Sequence, residues 1–217
     1  MEHVDRDISL RDYWKQRMDE HGHDLYRGRS LVKMPEDLRT YEQVIEQTTP
    51  DTIIELGTYA GGSALWFRDR LRLFSTSPDI LVVTIDTSTH CAPFAPADQI
   101  VLLEGDLTSQ ATVGTVATLL EGRHRVMVVD DSAHSYDITT KALELYGGFV
   151  EKGFYFVVED GVVDEPDLTI WPNVSGVQPA IRDFLETPAG GRFVQIPHES
   201  FGLTMHFGGW LYAGETS

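Results

Sequence analysis

One cysteine, Cys91, stands in a chain of 217 residues, so no disulfide can form within it. A reducing interior is the simplest setting for such a chain. Basic residues are also few. The 17 Lys and Arg face 34 Asp and Glu, a formal charge of −17. A surface of that sign repels phosphates, which argues against DNA, RNA or an anionic membrane as partner. No apolar run is long enough to span a bilayer. The opening residues, Met1 to Asp7, lack the basic and apolar regions of a signal peptide. The expectation is a soluble, cytoplasmic protein.

What the chain does have is a regular alternation of apolar runs and helical segments. Expected strands are Thr52–Leu56, Ile80–Ile85, Ile100–Leu103, Val126–Asp130 and Phe154–Val158. Expected helices are Ser63–Leu73, Gln110–Leu120 and Ser135–Val150, with another from about Ser175 to Leu185. Strands separated by helices imply parallel pairing through right-handed crossovers. Runs this apolar fit a sheet covered on both faces. Two last runs, Phe193–Pro197 and His206–Tyr212, resemble a terminal antiparallel pair. Residues 1–50 read as an N-terminal helical extension with a connecting loop at Arg27–Pro35, and residues 51–217 as the α/β domain. Apolar positions in the extension make self-association an open expectation.

Ligands of open α/β sheets bind at the carboxyl ends of the strands. Three acids stand there: Asp131 after Val126–Asp130, and Glu159 with Asp160 after Phe154–Val158. Carboxylates brought together repel one another unless a cation or protons intervene. An all-oxygen set suits a hard ion such as Mg²⁺. Asp130 is a rival to Asp131. His134 lies close enough to serve the same site, and His198 and His206 read as structural residues of the terminal pair.

The first strand runs into a glycine turn, Glu55-Leu56-Gly57-Thr58-Tyr59-Ala60-Gly61-Gly62-Ser63. Tyr59 stands where a dinucleotide fingerprint needs its second glycine, and no Gly-Lys-Ser/Thr of a phosphate loop follows. A ligand presenting an amino acid and a nucleoside fits better than one presenting a pyrophosphate. S-adenosylmethionine is such a ligand. Glu55, Gly57, Tyr59, Gly61 and Ser63 would surround its amino-acid end. Asp86, ending the second strand, would take the ribose diol, and Asp106, after the third, the adenine amino group. Asp131 would border the cofactor as well as the metal. Asp86 and Asp106 taken singly also fit ordinary strand-end turns, and Asp131 also fits a helix cap.

The turn Glu55–Ala64, the stretch Asp131-Ser132-Ala133-His134-Ser135-Tyr136, Val157-Val158-Glu159-Asp160 and the upstream Met34–Tyr41 segment together resemble the cephalosporin hydroxylase / rhamnosyl O-methyltransferase family. The resemblance covers roughly residues 27 to 212. A more distant likeness is to catechol O-methyltransferase. The resemblance implies a Rossmann-like class I methyltransferase fold, S-adenosylmethionine as methyl donor, and Mg²⁺ or another divalent cation on Asp131, Glu159 and Asp160. It favours Asp131 over Asp130, because the interval to His134 then matches the family motif. It implies O-methylation of a sugar or glycosylated natural product in antibiotic pathways, with His134 taking the proton. The Trp171-Pro172-Asn173 stretch would line the acceptor pocket. No 2-His-1-carboxylate triad for hydroxylation stands out. A non-methylating reaction on the same fold, or ligand binding without catalysis, are the competing expectations.

Overall fold

The computed structural model describes residues 7–88, 93–168, 171, 173–198 and 204–214. Seven strands form one sheet in the order β5-β4-β3-β6-β7-β9-β8. They are β3 (Thr52–Leu56), β4 (Leu81–Asp86), β5 (Ile100–Glu104), β6 (Val126–Asp130), β7 (Tyr155–Val158), β8 (Phe193–Gln195) and β9 (Trp210–Ala213). The first five pair in parallel, and β9 lies antiparallel to both β7 and β8. The chain moves outward from β3 in one direction and then, at β6, in the other. That reversal opens a crevice at the carboxyl ends of β3 and β6, the place where such sheets bind ligands.

Side-chain alternation along each strand sets the two faces. Ile54, Leu56, Val128 and Phe156 face one way, toward Ala142 and Leu143 of α5 (Tyr136–Tyr146) and Ile181 and Phe184 of α6 (Val177–Leu185). Ile53, Met127, Val129 and Val157 face the other, toward Tyr41, Val44 and Ile45 of α2 (Pro35–Thr48) and Phe67 and Leu71 of α3 (Gly62–Phe74). α6 buries Val177, Ala180, Ile181 and Phe184, an apolar stripe at helical spacing. α4 (Gln110–Leu119) starts where the Ser109 hydroxyl accepts the Thr112 N–H. Among the described residues, no helix is long and apolar enough to cross a membrane.

Three expectations need correction. The segment Arg27–Pro35 is not a plain loop. After α1 (Leu10–Glu20) and a 3-10 turn, a small hairpin forms from β1 (Leu25–Tyr26) and β2 (Arg29–Ser30). The helix expected to reach Val150 leaves α geometry at Tyr146 and continues as a 3-10 turn over Gly147–Phe149. Gly147-Gly148 is a poor helix former, which accounts for the break. His206 lies in the turn before β9, and His198 lies beyond β8.

Candidate active site

The carboxyl ends of β3 to β7 enclose a cavity of about 720 Å³. Gly57, Tyr59 and Ser63 line it from the first turn, Asp86 and Asp106 from the next two strand ends, and Asp131, His134 and Asp160 from the last two. Three predicted residues, Glu55, Gly61 and Glu159, are not in its wall. Glu55 is the fourth residue of β3 and fully buried. Its Oε2 accepts the Thr84 hydroxyl at 2.6 Å, while Oε1 is buried without a partner. Gly61 packs against Phe94 and Arg29.

Asp86 already has backbone partners. Its Oδ2 accepts the N–H groups of Thr58 and Tyr59 at 3.0 and 2.9 Å, and Oδ1 that of Ser88 at 3.1 Å. The carboxylate thereby holds the glycine turn against β4. Oδ1 of Asp106 accepts the Thr108 N–H at 2.8 Å and the hydroxyl at 2.7 Å, and these bonds hold its carboxyl below the ordinary range. Both acids still border the cavity.

Asp130 and Asp131 take different environments. Asp130 remains in β6, paired opposite Leu56 and Val158, and accepts the Ser132 hydroxyl. Burial pushes its carboxyl up to about 7. Asp131 is the first residue past the strand, and its side chain turns to the cavity. His134 follows with a φ of 50°, a left-handed setting that histidine tolerates better than most residues. Its Nε2 stands 3.3 Å from Asp160 Oδ2 and 3.8 Å from Asp131 Oδ1. The ring stacks on Trp171, with centroids 5.9 Å apart and an angle of 11°. Trp171 also lines the cavity, whereas Pro172 lies outside the described residues.

The three predicted metal ligands do not share one point. Donor atoms of Asp131, His134 and Asp160 lie within 4.8 Å of one another, and so do those of Glu159, Asp160 and His206. Between Asp131 and Glu159 stands Lys33. Its Nζ is 2.8 Å from Asp131 Oδ2 and 2.7 Å from each oxygen of Glu159. The Tyr41 hydroxyl donates to Glu159 Oε1 at 2.6 Å. Burial alone would raise the Glu159 carboxyl, but Lys33, His206 and Tyr41 bring it below its usual range. Burial and the charge of Asp131 push Asp160 well above its own. Burial and Glu159 likewise raise Asp131 against the pull of Lys33. Burial opposes the Lys33 charge, yet Asp131, Glu159 and Glu55 outweigh it and keep the ammonium protonated.

Sequence reasoning missed Lys33, Tyr41 and the part played by His206, whose Nδ1 accepts the Asp160 N–H at 3.2 Å. One signal was available. Lys33 stands alone among Leu31, Val32 and Met34, an odd place for a solvated charge.

Burial comes first among the causes that push the Glu55 carboxyl up from 4.5 to about 7, with Lys33, Ser63 and Thr84 working against it. Its folded form therefore holds a proton that the unfolded chain releases near 4.5. The stability this gives is present below that pH and is lost as pH rises through about 7. Glu55→Gln should remove the dependence. Measured with denaturant, the stability difference between wild type and variant should change by about 3 kcal/mol between pH 5 and 8.5. Parallel pH profiles would refute the assignment.

The profile of the family described as rhamnosyl O-methyltransferase/CmcI matches residues 20–213. The chain belongs to that family. Rhamnosyl O-methyltransferase of Mycobacterium tuberculosis is 25% identical over 142 residues, 64% of this chain and 57% of that protein. The Mycobacterium leprae protein of the same name is 26% identical over 136 residues, 62% and 59% of the two chains. The chain thus matches somewhat over half the length of these curated relatives. Among solved structures, CmcI with SAH superposes with a TM-score of 0.62 at 23% identity, over 97% of this chain and 94% of that one. MycE from the mycinamycin pathway, in complex with Mg, SAH and mycinamycin VI, gives 0.57 at 14% identity, over 83% and 48%. At these identities the likeness is one of fold, and it is the Rossmann-like class I methyltransferase fold.

Proposed function

We propose that the chain is a cytoplasmic O-methyltransferase of secondary metabolism. It would move the methyl group of S-adenosylmethionine to a hydroxyl of a sugar or glycosylated natural product, with a divalent cation at the site. The observation that carries the reading is His134 standing on the wall of a 720 Å³ cavity between two strand-end carboxylates, in a chain of this family. The names of the relatives support a sugar acceptor, and the contents of the MycE complex support Mg²⁺ with a methyl-donor product.

The residues present fit both groups. The cavity lies over the glycine turn, with the Ser63 hydroxyl near its floor, and Asp86 and Asp106 border it in the order that a ribose and an adenine would require. Asp131 and Asp160 present carboxylates to the cavity, while Glu159, the third acid of the expected set, lies behind them on Lys33. When bound, the sulfonium supplies an electrophilic methyl and the cation lowers the pKa of an acceptor hydroxyl. The chain's own residues do the rest. His134 Nε2 takes the hydroxyl proton. Trp171 holds the imidazole plane by stacking, and the enclosing strand ends orient the acceptor and strip water from it.

The test is transfer of a labelled methyl group to a panel of rhamnosides and nucleotide-linked deoxysugars, read by product mass. One acceptor should gain one methyl, with S-adenosylhomocysteine released. Asp131→Asn, or chelation of the ion, should slow turnover by about tenfold to a hundredfold. No methylated product from any hydroxylated acceptor, despite donor binding, would sink the reading. Full activity in chelator would remove the metal from it.

A further inference from the structure

The N-terminal segment places a lysine inside the acid cluster, and methyl transfer as described makes no use of it. Lys33 follows Val32, whose φ of 50° is a strained setting for a β-branched residue. It precedes Met34, which is buried, and α2 starts at Pro35. The backbone is thus constrained on both sides of a buried ammonium. Lys33 is 2% exposed. It meets both oxygens of Glu159, and the Tyr41 hydroxyl adds a third bond to the same carboxylate. Glu159 is absent from the cavity wall among its described residues, whereas Asp131 and Asp160 are in it. Asp131 gives Oδ2 to Lys33 and turns Oδ1 toward His134.

We propose that Lys33 is a resident cation that takes Glu159 out of the metal site, leaving Asp131 and Asp160 as the carboxylates that hold a divalent ion. The proposal rests on the reading of those two acids as cation ligands. Charge supports it. Once a bound ion draws off their protons, the three carboxylates against one ammonium leave two negative charges, the complement of one divalent ion. Geometry supports it too. An ion on Glu159 would approach to about 2.1 Å of oxygens already facing an ammonium, placing like charges together away from water. Moving Lys33 away instead would strand a buried charge. Two protein carboxylates leave the remaining positions to water and to two acceptor oxygens, a common arrangement for Mg²⁺.

The experiment is Mn²⁺ binding to the metal-stripped full chain, followed by the loss of the free-ion EPR signal and repeated with Mg²⁺ by calorimetry. Asp131→Asn and Asp160→Asn should each weaken binding by about tenfold or more. The double variant Lys33→Met with Glu159→Gln removes a matched pair and should stay within about threefold of wild type. Lys33→Met alone frees Glu159 and should tighten Mn²⁺ by about tenfold. A tenfold loss in the double variant, with a cooperative thermal transition retained, would overturn the proposal. Should that variant not fold, the wild-type crystal with Mn²⁺ decides. Anomalous density bonded to Asp131 and Asp160, with Lys33 still on Glu159, supports the proposal, and a bond from the ion to Glu159 overturns it. Methyl-donor turnover measured in parallel separates the two ideas. Turnover without any bound ion ends this proposal and leaves methyl transfer standing.

Discussion

Gly57→Ala should cost about 3–5 kcal/mol of folding stability and abolish binding in the cavity. Gly57 has a φ of 103°, a conformation that L side chains rarely adopt. A Cβ there would overlap the carbonyl oxygen of Asp131 and press on its carbon. Neither backbone can give way cheaply. Gly57 donates its N–H to Ile85 at 2.8 Å, and Asp131 donates its own to Leu56 at 2.8 Å. Those two bonds tie the ends of β3, β4 and β6 into the floor of the cavity. Alanine would therefore push Asp131 out of line as well as straining the turn. Gly122 is the control. Its φ is 79°, yet nothing lies within 4 Å of an added Cβ, so Gly122→Ala should cost only about 1 kcal/mol. Denaturant titration of both variants, with calorimetry of S-adenosylhomocysteine binding, measures the contrast. Equal stabilities for the two would show that the crossing is not tight.

The same crossing explains what could be read from the amino-acid order. Strands buried on both faces write themselves as unbroken apolar runs, so Thr52–Leu56 and Val126–Asp130 have the same bounds in sequence and structure. The strand ends follow, and with them the acids that border the cavity. Strand parity was harder to see. Glu55 belongs to the glycine-turn motif by position, but it is still inside β3 and sits on the Ile53 face, under the wall rather than in it. The hairpin of β1 and β2 has only two residues per strand, too short for any period to show. Lys33 could be read as a buried charge from its apolar neighbours, but what it pairs with could not. Its partners lie 98 and 126 residues away, and a charge pairing at that separation leaves no local pattern. The terminal pair misled in a smaller way. Gly208-Gly209 carries a turn, so His206 leaves the strand and backs Asp160 instead.

His134→Ala should lower the rate of methyl transfer by about a hundredfold to ten-thousandfold while donor binding stays within about threefold of wild type. The imidazole is placed by three constraints that alanine would release: the left-handed backbone at residue 134, the Trp171 ring beneath it and the Asp160 carboxylate 3.3 Å from Nε2. None of these holds up the sheet, since His134 lies between the end of β6 and the Ser135 cap of α5. Loss of rate with a normal thermal transition therefore reports chemistry rather than folding. Imidazole added to the medium can enter the space left by the missing ring, and recovery of part of the rate would place the proton on that nitrogen. Trp171→Ala offers a graded comparison. It frees the ring without removing it and should slow turnover by about tenfold. If His134→Ala kept its rate to within about tenfold, water or the ion alone would be deprotonating the acceptor. His134 would then be a ligand or a wall residue, and Mn²⁺ affinity of the same variant distinguishes those two. A ligand loses affinity when its nitrogen is removed, and a wall residue leaves it unchanged.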